Sequence, residues 1–439
     1  MQQPSVFIIS CGDELLFGHT VDTNAAWLAN QCTLLGWRVV GKRTIGDVTP
    51  EIVAAFREGA EKAQVVLLTG GLGPTEDDRS RHALAEALDV PLEEDAVAMA
   101  EIEAVFRRFG HPMGKINRVQ ALVPRGAERL PNHQGTAPGL HAHLGQADIF
   151  VMPGVPREMR EMFTETVRPK LLERPAPVRV VLRRLYLLGR GESDIGEALK
   201  DLMTEGANPE VGTAVAEGIV TVRLYARGKD LKAAEALAKK TEAKIRTRLG
   251  ADIFGADQES LPQALVSALR QKKACLVLAE SCTGGMLSSF LVDVPGASEV
   301  FKEGIVSYSN QAKTNRLLVD PGLIEHRGAV SEEVVVAMAE GAILTSHYPE
   351  RPLYSLAVTG IAGPEGGSPE KPVGTVWLAC SRLDQNNQGL TRSLAIHSVA
   401  ERQGVRLRSC HAAFDLLRRT LLDLPLSRPS REKSWTGPA

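Results

Sequence analysis

Ala274-Cys275-Leu276-Val277-Leu278-Ala279-Glu280-Ser281-Cys282-Thr283-Gly284-Gly285 runs from an apolar stretch through a polar turn to two glycines. Residues 274–279 read as a buried strand and 284–291 as a helix, and a strand that turns sharply into a helix is the repeating unit of an α/β sheet. Such a turn presents a hydroxyl at the strand end. The glycines let backbone N–H groups approach a ligand, and the helix start adds partial positive charge. Ser281 is therefore a candidate nucleophile, which needs an oxyanion site and a base. Helix capping by Ser281 or Thr283 is the simpler use of the same residues. Cys282 is a competing nucleophile that also fits as a small buried thiol.

Outward from this turn the alternation continues. Residues 304–308 read as a strand and Ser309-Asn310-Gln311-Ala312-Lys313 as the start of the next helix, with Tyr308 closing the strand. A lysine in a first helical turn opposes the helix dipole, which favours its neutral amine, so Lys313 fits a general base, with Tyr308 relaying or donating a proton. A surface lysine and a core tyrosine are the plain alternative. Residues 331–344 read as a helix capped by Ser331, 353–358 and 374–380 as strands, and 402–422 as a closing helix. The loop Thr359-Gly360-Ile361-Ala362-Gly363 suits a phosphate or ribose, and Arg402, Arg406 and Arg408 open the last helix as paired donors for a phosphate. A glycine-rich surface loop and a solvated charged face would look the same.

The first part of the chain repeats the strand–helix pattern at 7–10/24–35, 39–44/51–62 and 65–69/79–88, with a later strand at 149–152 and a helix at 157–172. Its loops carry Asp13, Glu14, Asp22, Asn24 and Asp47, and the run Gly70-Gly71-Leu72-Gly73-Pro74-Thr75-Glu76-Asp77-Asp78. Glycines admit a phosphate to the backbone, and Asp77 and Asp78 are candidate ligands for a divalent metal on that phosphate. Loops that follow parallel strands gather at one sheet edge, which favours reading these residues as a set. An acidic helix start, with Asp22 as a simple cap, is the alternative. His141 and His143 alternate on a candidate strand and carry little weight as metal ligands.

A length of 439 residues exceeds one compact core, so several domains are expected. Breaks at Pro175-Ala176-Pro177 and at 252–260 divide the chain into 1–174, an α+β module at 175–252, an α/β domain at 253–424 and a tail, 425–439, too poor in apolar residues to order itself. The net charge of -2 without a basic run argues against a nucleic-acid coat. The first apolar stretch is too short to span a membrane and lacks the charged region of a secretory signal. Six cysteines without a CxxC pair fit a reducing cytoplasm rather than a disulfide or zinc framework.

Segments 279–285, 304–313, 328–331, 359–367 and 371–376 together resemble the C-terminal PncC domain of the competence/damage-inducible CinA family. That resemblance implies a serine amidohydrolase converting nicotinamide mononucleotide to nicotinic acid mononucleotide and ammonia, with no cofactor. Ser281 takes the nucleophile's place, with Tyr308 and Lys313 beside it. Thr283, Gly284, Gly285, Asn310, Thr359, Gly360, Gly363, Arg402 and Arg406 fall in substrate-binding positions. The family's Gly-Asp-Arg is Ala400-Glu401-Arg402 here, which leaves the phosphate-binding arginine open.

Segments 12–18, 22–24, 70–78, 117–121, 135–139 and 153–159 resemble the same family's N-terminal domain, a molybdopterin-binding-like α/β sandwich. This implies a metal-dependent ADP-ribose pyrophosphatase whose site holds Asp13, Glu14, Asp22, Asn24, Asp47, Gly70, Gly71, Gly73, Thr75, Asp77 and Asp78. Arg79-Ser80 replaces a more usual apolar-Thr pair. Residues 178–250 resemble the KH-like connecting domain but lack a Gly-x-x-Gly clamp, so RNA binding does not follow. The family resemblance also implies a homodimer. Other readings are a molybdopterin-handling first domain without hydrolysis, or a nucleotide-binding regulator linked to competence or DNA damage.

Overall fold

The computed structural model describes residues 3–174, 178–348, 352–426 and 431–436, so the expected Pro175–Pro177 break lies outside them. Two compact bodies form, one of residues 1–181 with 226–237 and the other of 182–225 with 238–439. Among the described residues no helix is long and apolar enough to cross a membrane.

The first body opens with β1 (Ser5–Cys11), α1 (Asp13–Leu16), α2 (Thr23–Leu34), β2 (Arg38–Ile45), α3 (Thr49–Lys62), β3 (Val65–Thr69) and α4 (Ser80–Leu88). It continues through β4 (Leu92–Glu94), α5 (Ala96–Arg108), β5 (Leu122–Pro124), β6 (Glu128–Leu130), β7 (Gly139–Leu144), β8 (Ala147–Met152), α6 (Pro156–Met162) and α7 (Arg168–Glu173). The main sheet has the order β2-β1-β3-β8-β7-β6, with β2, β1, β3 and β8 parallel and β7 and β6 antiparallel.

Side chains alternate across a strand, and β1 is apolar on both faces. Phe7 and Ile9 pack with Ile52, Phe56 and Leu84 on one side, while Val6 and Ile8 pack with Leu28 and Phe163 on the other. The continuous helix expected at 157–172 is interrupted by a π-helical turn, Phe163–Val167. Pro169 follows at once; it has no N–H for an ordinary helical bond, which accounts for the irregular winding.

In the second body, β9 (Arg179–Leu187), α8 (Glu192–Leu199), β10 (Glu210–Ala216), β11 (Ile219–Gly228), α9 (Leu231–Leu249) and β12 (Ile253–Ala256) supply a four-stranded sheet of order β10-β11-β9-β12. β9, β11 and α9 are continuous elements that begin or end beyond this body's border. The sequence reads 252–260 as a break, but residues 253–256 are the fourth strand. They pair antiparallel with β9 and bury Ile253 and Phe254. A strand this short has too few residues to show a period, which is why it was missed.

The remaining elements are α10 (Leu261–Gln271), β13 (Cys275–Glu280), α11 (Met286–Val292), β14 (Phe301–Val306), α12 (Asn310–Leu317), α13 (Pro321–Arg327), α14 (Glu332–Thr345), β15 (Leu353–Gly360), β16 (Thr375–Leu383), β17 (Gln388–His397), α15 (Arg402–Leu421) and β18 (Arg431–Thr436). Their sheet has the order β14-β13-β15-β16-β17-β18. β13 is parallel to both neighbours and the rest are antiparallel. Leu276 and Leu278 face α10 and α15, while Val277 and Ala279 face α14.

The tail, 425–439, reads as unordered, but within it residues 431–436 form β18, while 427–430 and 437–439 lie outside the described residues. An edge strand needs a partner's open backbone more than a core of its own. β18 takes the edge of β17 from 388 to 393, seats Trp435 over Gly389, and pairs Glu432 with Arg392 and Arg431 with Glu332.

Candidate active sites

β13, flanked by β14 and β15, ends at Glu280, and the three strand ends bring Ser281, Ser307-Tyr308 and Thr359-Gly360 to one edge of the sheet. Lys313, in α12, reaches back to this edge. Its Nζ lies 3.0 Å from Ser281 Oγ, 2.9 Å from the Ser307 carbonyl and 3.4 Å from that of Tyr308. The lysine is 1% exposed and, among the described residues, has no carboxylate partner. Burial pushes its ammonium below the ordinary lysine range. Desolvation, rather than the helix start, is the physical cause.

The turn after β13 is held by Glu280, which the sequence reading did not single out. Its buried carboxylate accepts from the amides of Gly285, Leu287 and Ser288 and from Ser288 Oγ, at 2.7–3.1 Å. These are the free amides at the start of α11, so the residue before Ser281 caps the helix after it. Gly284 and Gly285 stand at φ 59° and 91°, left-handed values that suit glycine. Among the described residues the Thr283 amide has no partner, and the Cys282 amide none beyond its own thiol. A glutamate just before a turn into a glycine-started helix was the available signal.

Burial raises the Cys282 thiol to about 11, so little thiolate forms near neutral pH and its nucleophilic alternative weakens. Thr283 is buried with its hydroxyl unpartnered. Arg406 donates to the carbonyls of Cys282 (3.1 Å) and Thr283 (2.7 Å). Arg402 donates to the Gly363 carbonyl at 2.5 Å and stands 3.4 Å from the Tyr308 hydroxyl. Tyr308 is 63% exposed, so it meets Lys313 through its carbonyl while its phenol faces Arg402. Asn310 begins α12 on the exposed side. Thr359 is committed to the Ala329 carbonyl, and a side chain at Gly360 would strike Val376. Arg408 lies against Gly218 instead.

In the first body, the ends of β1, β2, β3 and β8 border a cleft of about 430 Å³. Glu14, Asp47, Gly70, Gly71, Gly73, Asp77 and Asp78 line it, joined by Glu158. A Cβ on Gly70 would stand 2.1 Å from the Cys11 carbonyl, so only glycine lets the loop pass. Asp78 is occupied by the amides of Gly73 and Thr75 and the Thr75 hydroxyl. Asp47 and Asp13 bond each other's amides at 3.0 and 3.3 Å. Asp22 caps α2, and Asn24 ties Thr69 to the Gly154 carbonyl, so both act structurally.

Buried Arg81, also missed, donates to the carbonyls of Leu72 (2.5 Å) and Gly73 (3.1 Å) and thereby fixes the loop. Glu14, Asp77 and Glu158 are the less committed carboxylates. Among the described residues the three-ligand cluster tight enough to share one ion is His141, His143 and Asp148, not this set. A hard ion here would be held by one or two carboxylates, waters and the ligand's phosphates.

Three family models match: a probable molybdopterin binding domain over residues 7–173, the damage-inducible protein CinA KH domain over 182–255, and the CinA C-terminal domain over 258–421. A CinA-like protein of Frankia casuarinae is 40% identical, covering 98% of each chain, and one of Citrifermentans bemidjiense is 41% identical, covering 95% of this chain and 97% of the relative. A crystal structure of the protein CinA from Thermoplasma acidophilum is 33% identical over 38% of this chain and 98% of that one, with a TM-score of 0.36. The first body is thus molybdopterin-binding-like, followed by a KH-like module and the C-terminal α/β domain, and the chain belongs to the CinA family.

Proposed function

We propose that the C-terminal site deamidates nicotinamide mononucleotide, with Ser281 as nucleophile and Lys313 as base. The observation that carries this reading is a buried lysine, unpaired with any carboxylate among the described residues, 3.0 Å from the serine hydroxyl. Neutral Lys313 takes the Ser281 proton as Oγ bonds to the amide carbon. The amides of Cys282 and Thr283 are the available donors for the oxyanion. The C–N bond then breaks, the amide nitrogen takes the proton from Lys313, and ammonia leaves an ester on Ser281. Water, activated by the same amine, hydrolyses that ester to nicotinic acid mononucleotide. Arg402 and the exposed Tyr308 phenol stand at the rim to meet the substrate's phosphate or ribose.

For the N-terminal cleft, the glycine loops and carboxylates support hydrolysis of ADP-ribose to AMP and ribose 5-phosphate. Its oxygen donors fit a hard divalent ion such as Mg²⁺ or Mn²⁺, since the Cys11 thiol is held protonated by burial. One or two of Glu14, Asp77 and Glu158, together with waters and the substrate's phosphates, would hold that ion, which would neutralise phosphate charge and activate water.

Product analysis of the full chain with each substrate tests both assignments. Nicotinic acid mononucleotide with equimolar ammonia supports the first, and AMP released only with a divalent ion supports the second. Molybdopterin binding without AMP release would replace the second with a pterin-handling role.

A further inference from the structure

Neither proposed reaction uses the side chains gathered at the start of β8. β7 places His141 and His143 on one face of the sheet, and Asp148 is the register partner of His143. His143 Nδ1 lies 2.7 Å and His141 Nε2 3.3 Å from the same oxygen, Asp148 Oδ1. These three atoms lie within 4.8 Å of one another. We propose that His141, His143 and Asp148 form a divalent transition-metal site of the zinc class.

Spacing is the first argument. Ligands about 2.0–2.2 Å from a tetrahedral ion stand roughly 3.4 Å apart. The 3.3 Å pair already has this spacing, and the 2.7 Å pair opens by rotation of His143, which is 72% exposed in its side chain.

The surroundings are the second. A metal-binding histidine usually gives its other ring nitrogen to a carboxylate, which fixes the tautomer and ring direction. His141 Nδ1 lies 3.0 Å from Glu128, and Lys170 holds that same carboxylate at 2.8 Å. The His141 ring also lies flat on Phe150, 4.3 Å away at 4°. Arg174 takes Asp148 Oδ2, leaving Oδ1 for an ion.

Lys170 and Arg174 pair with Glu128 and Asp148, the two carboxylates that hold the histidines. Asp148 stands at the opposite end of β8 from the cleft that begins at Pro153. An ion here would therefore tie the β7–β8 hairpin and act on stability.

The test is calorimetric titration of Zn²⁺ into the untagged, chelator-treated full chain and into His143→Ala and His141→Ala. The exposed position of His143 makes its variant safe for folding, and circular dichroism checks this. Both variants should lose one equivalent that the wild type binds. Glu128→Gln should keep the equivalent but bind it about 10–100-fold more weakly. Zn²⁺ should raise the melting temperature of the wild type and not of His143→Ala. Equal stoichiometry and affinity in the wild type and both histidine variants would overturn the site and leave a metal-free ion network.

Discussion

Glu280 accepts the amide of Ser288 at 2.9 Å and its hydroxyl at 2.7 Å. The residue before the proposed nucleophile thus locks the helix that follows it. The amides of Gly285 and Leu287 share this carboxylate, so Ser281 sits in a turn closed at both ends by one side chain.

Glu280→Gln replaces an acceptor with a group that presents N–H to N–H. Expected are a loss of about 2 kcal/mol in stability and a fall in kcat for deamidation exceeding any change in KM. Urea unfolding and steady-state kinetics measure the two. Unchanged kcat in a folded variant would remove Glu280 from the positioning of Ser281.

Lys313 has a folded-state pKa lowered by burial. Only the neutral amine accepts the serine proton, so kcat/KM should rise with pH through the lowered pKa and level off above it. The linkage follows the same sign. Between the lowered folded pKa and the ordinary value near 10.5, the unfolded chain binds more protons, so this group's contribution to stability improves as pH rises. Lys313→Met should abolish the pH limb, reduce turnover about 10²–10⁴-fold, and leave stability at neutral pH equal or higher. A variant with wild-type turnover would exclude Lys313 as base.

Cys282→Ala should retain most deamidase activity, because burial keeps that thiol protonated. Turnover falling as far as in a Ser281 variant would make Cys282 the nucleophile instead.

Ending the chain after Leu426 removes β18, uncovers the β17 edge and loses the Trp435 contact with Gly389. The stability loss should be about 2 kcal/mol, the scale of burying one large apolar side chain, with concentration-dependent association through the open edge. Thermal unfolding and size-exclusion chromatography measure these. Identical behaviour of the truncated chain would mean that β18 contributes nothing.

Much of the C-terminal site was legible because its chemistry lies in short runs after apolar strands: the strand ending at Glu280 and the helix carrying Lys313 are both strongly patterned. What escaped was settled by distant contacts. The direction of the Tyr308 phenol depends on Arg402, and the work of Arg81 and Arg406 on loop carbonyls is invisible without the fold. Asp22, Asn24 and Thr75 looked like ligands because capping and ligation favour the same residue types. His141 and His143 read as a ligand pair only once β8 places Asp148 opposite His143. β12 and β18 were missed because a short or edge strand is specified by its partner more than by its own pattern.

The proposed deamidation requires that Ser281 attack the amide under the control of Lys313. Its most direct test is ammonia release from nicotinamide mononucleotide by the wild type and by Ser281→Ala, with the fold checked by circular dichroism. Steady release by the wild type and none above background by the variant is expected. Equal release by both proteins would contradict it.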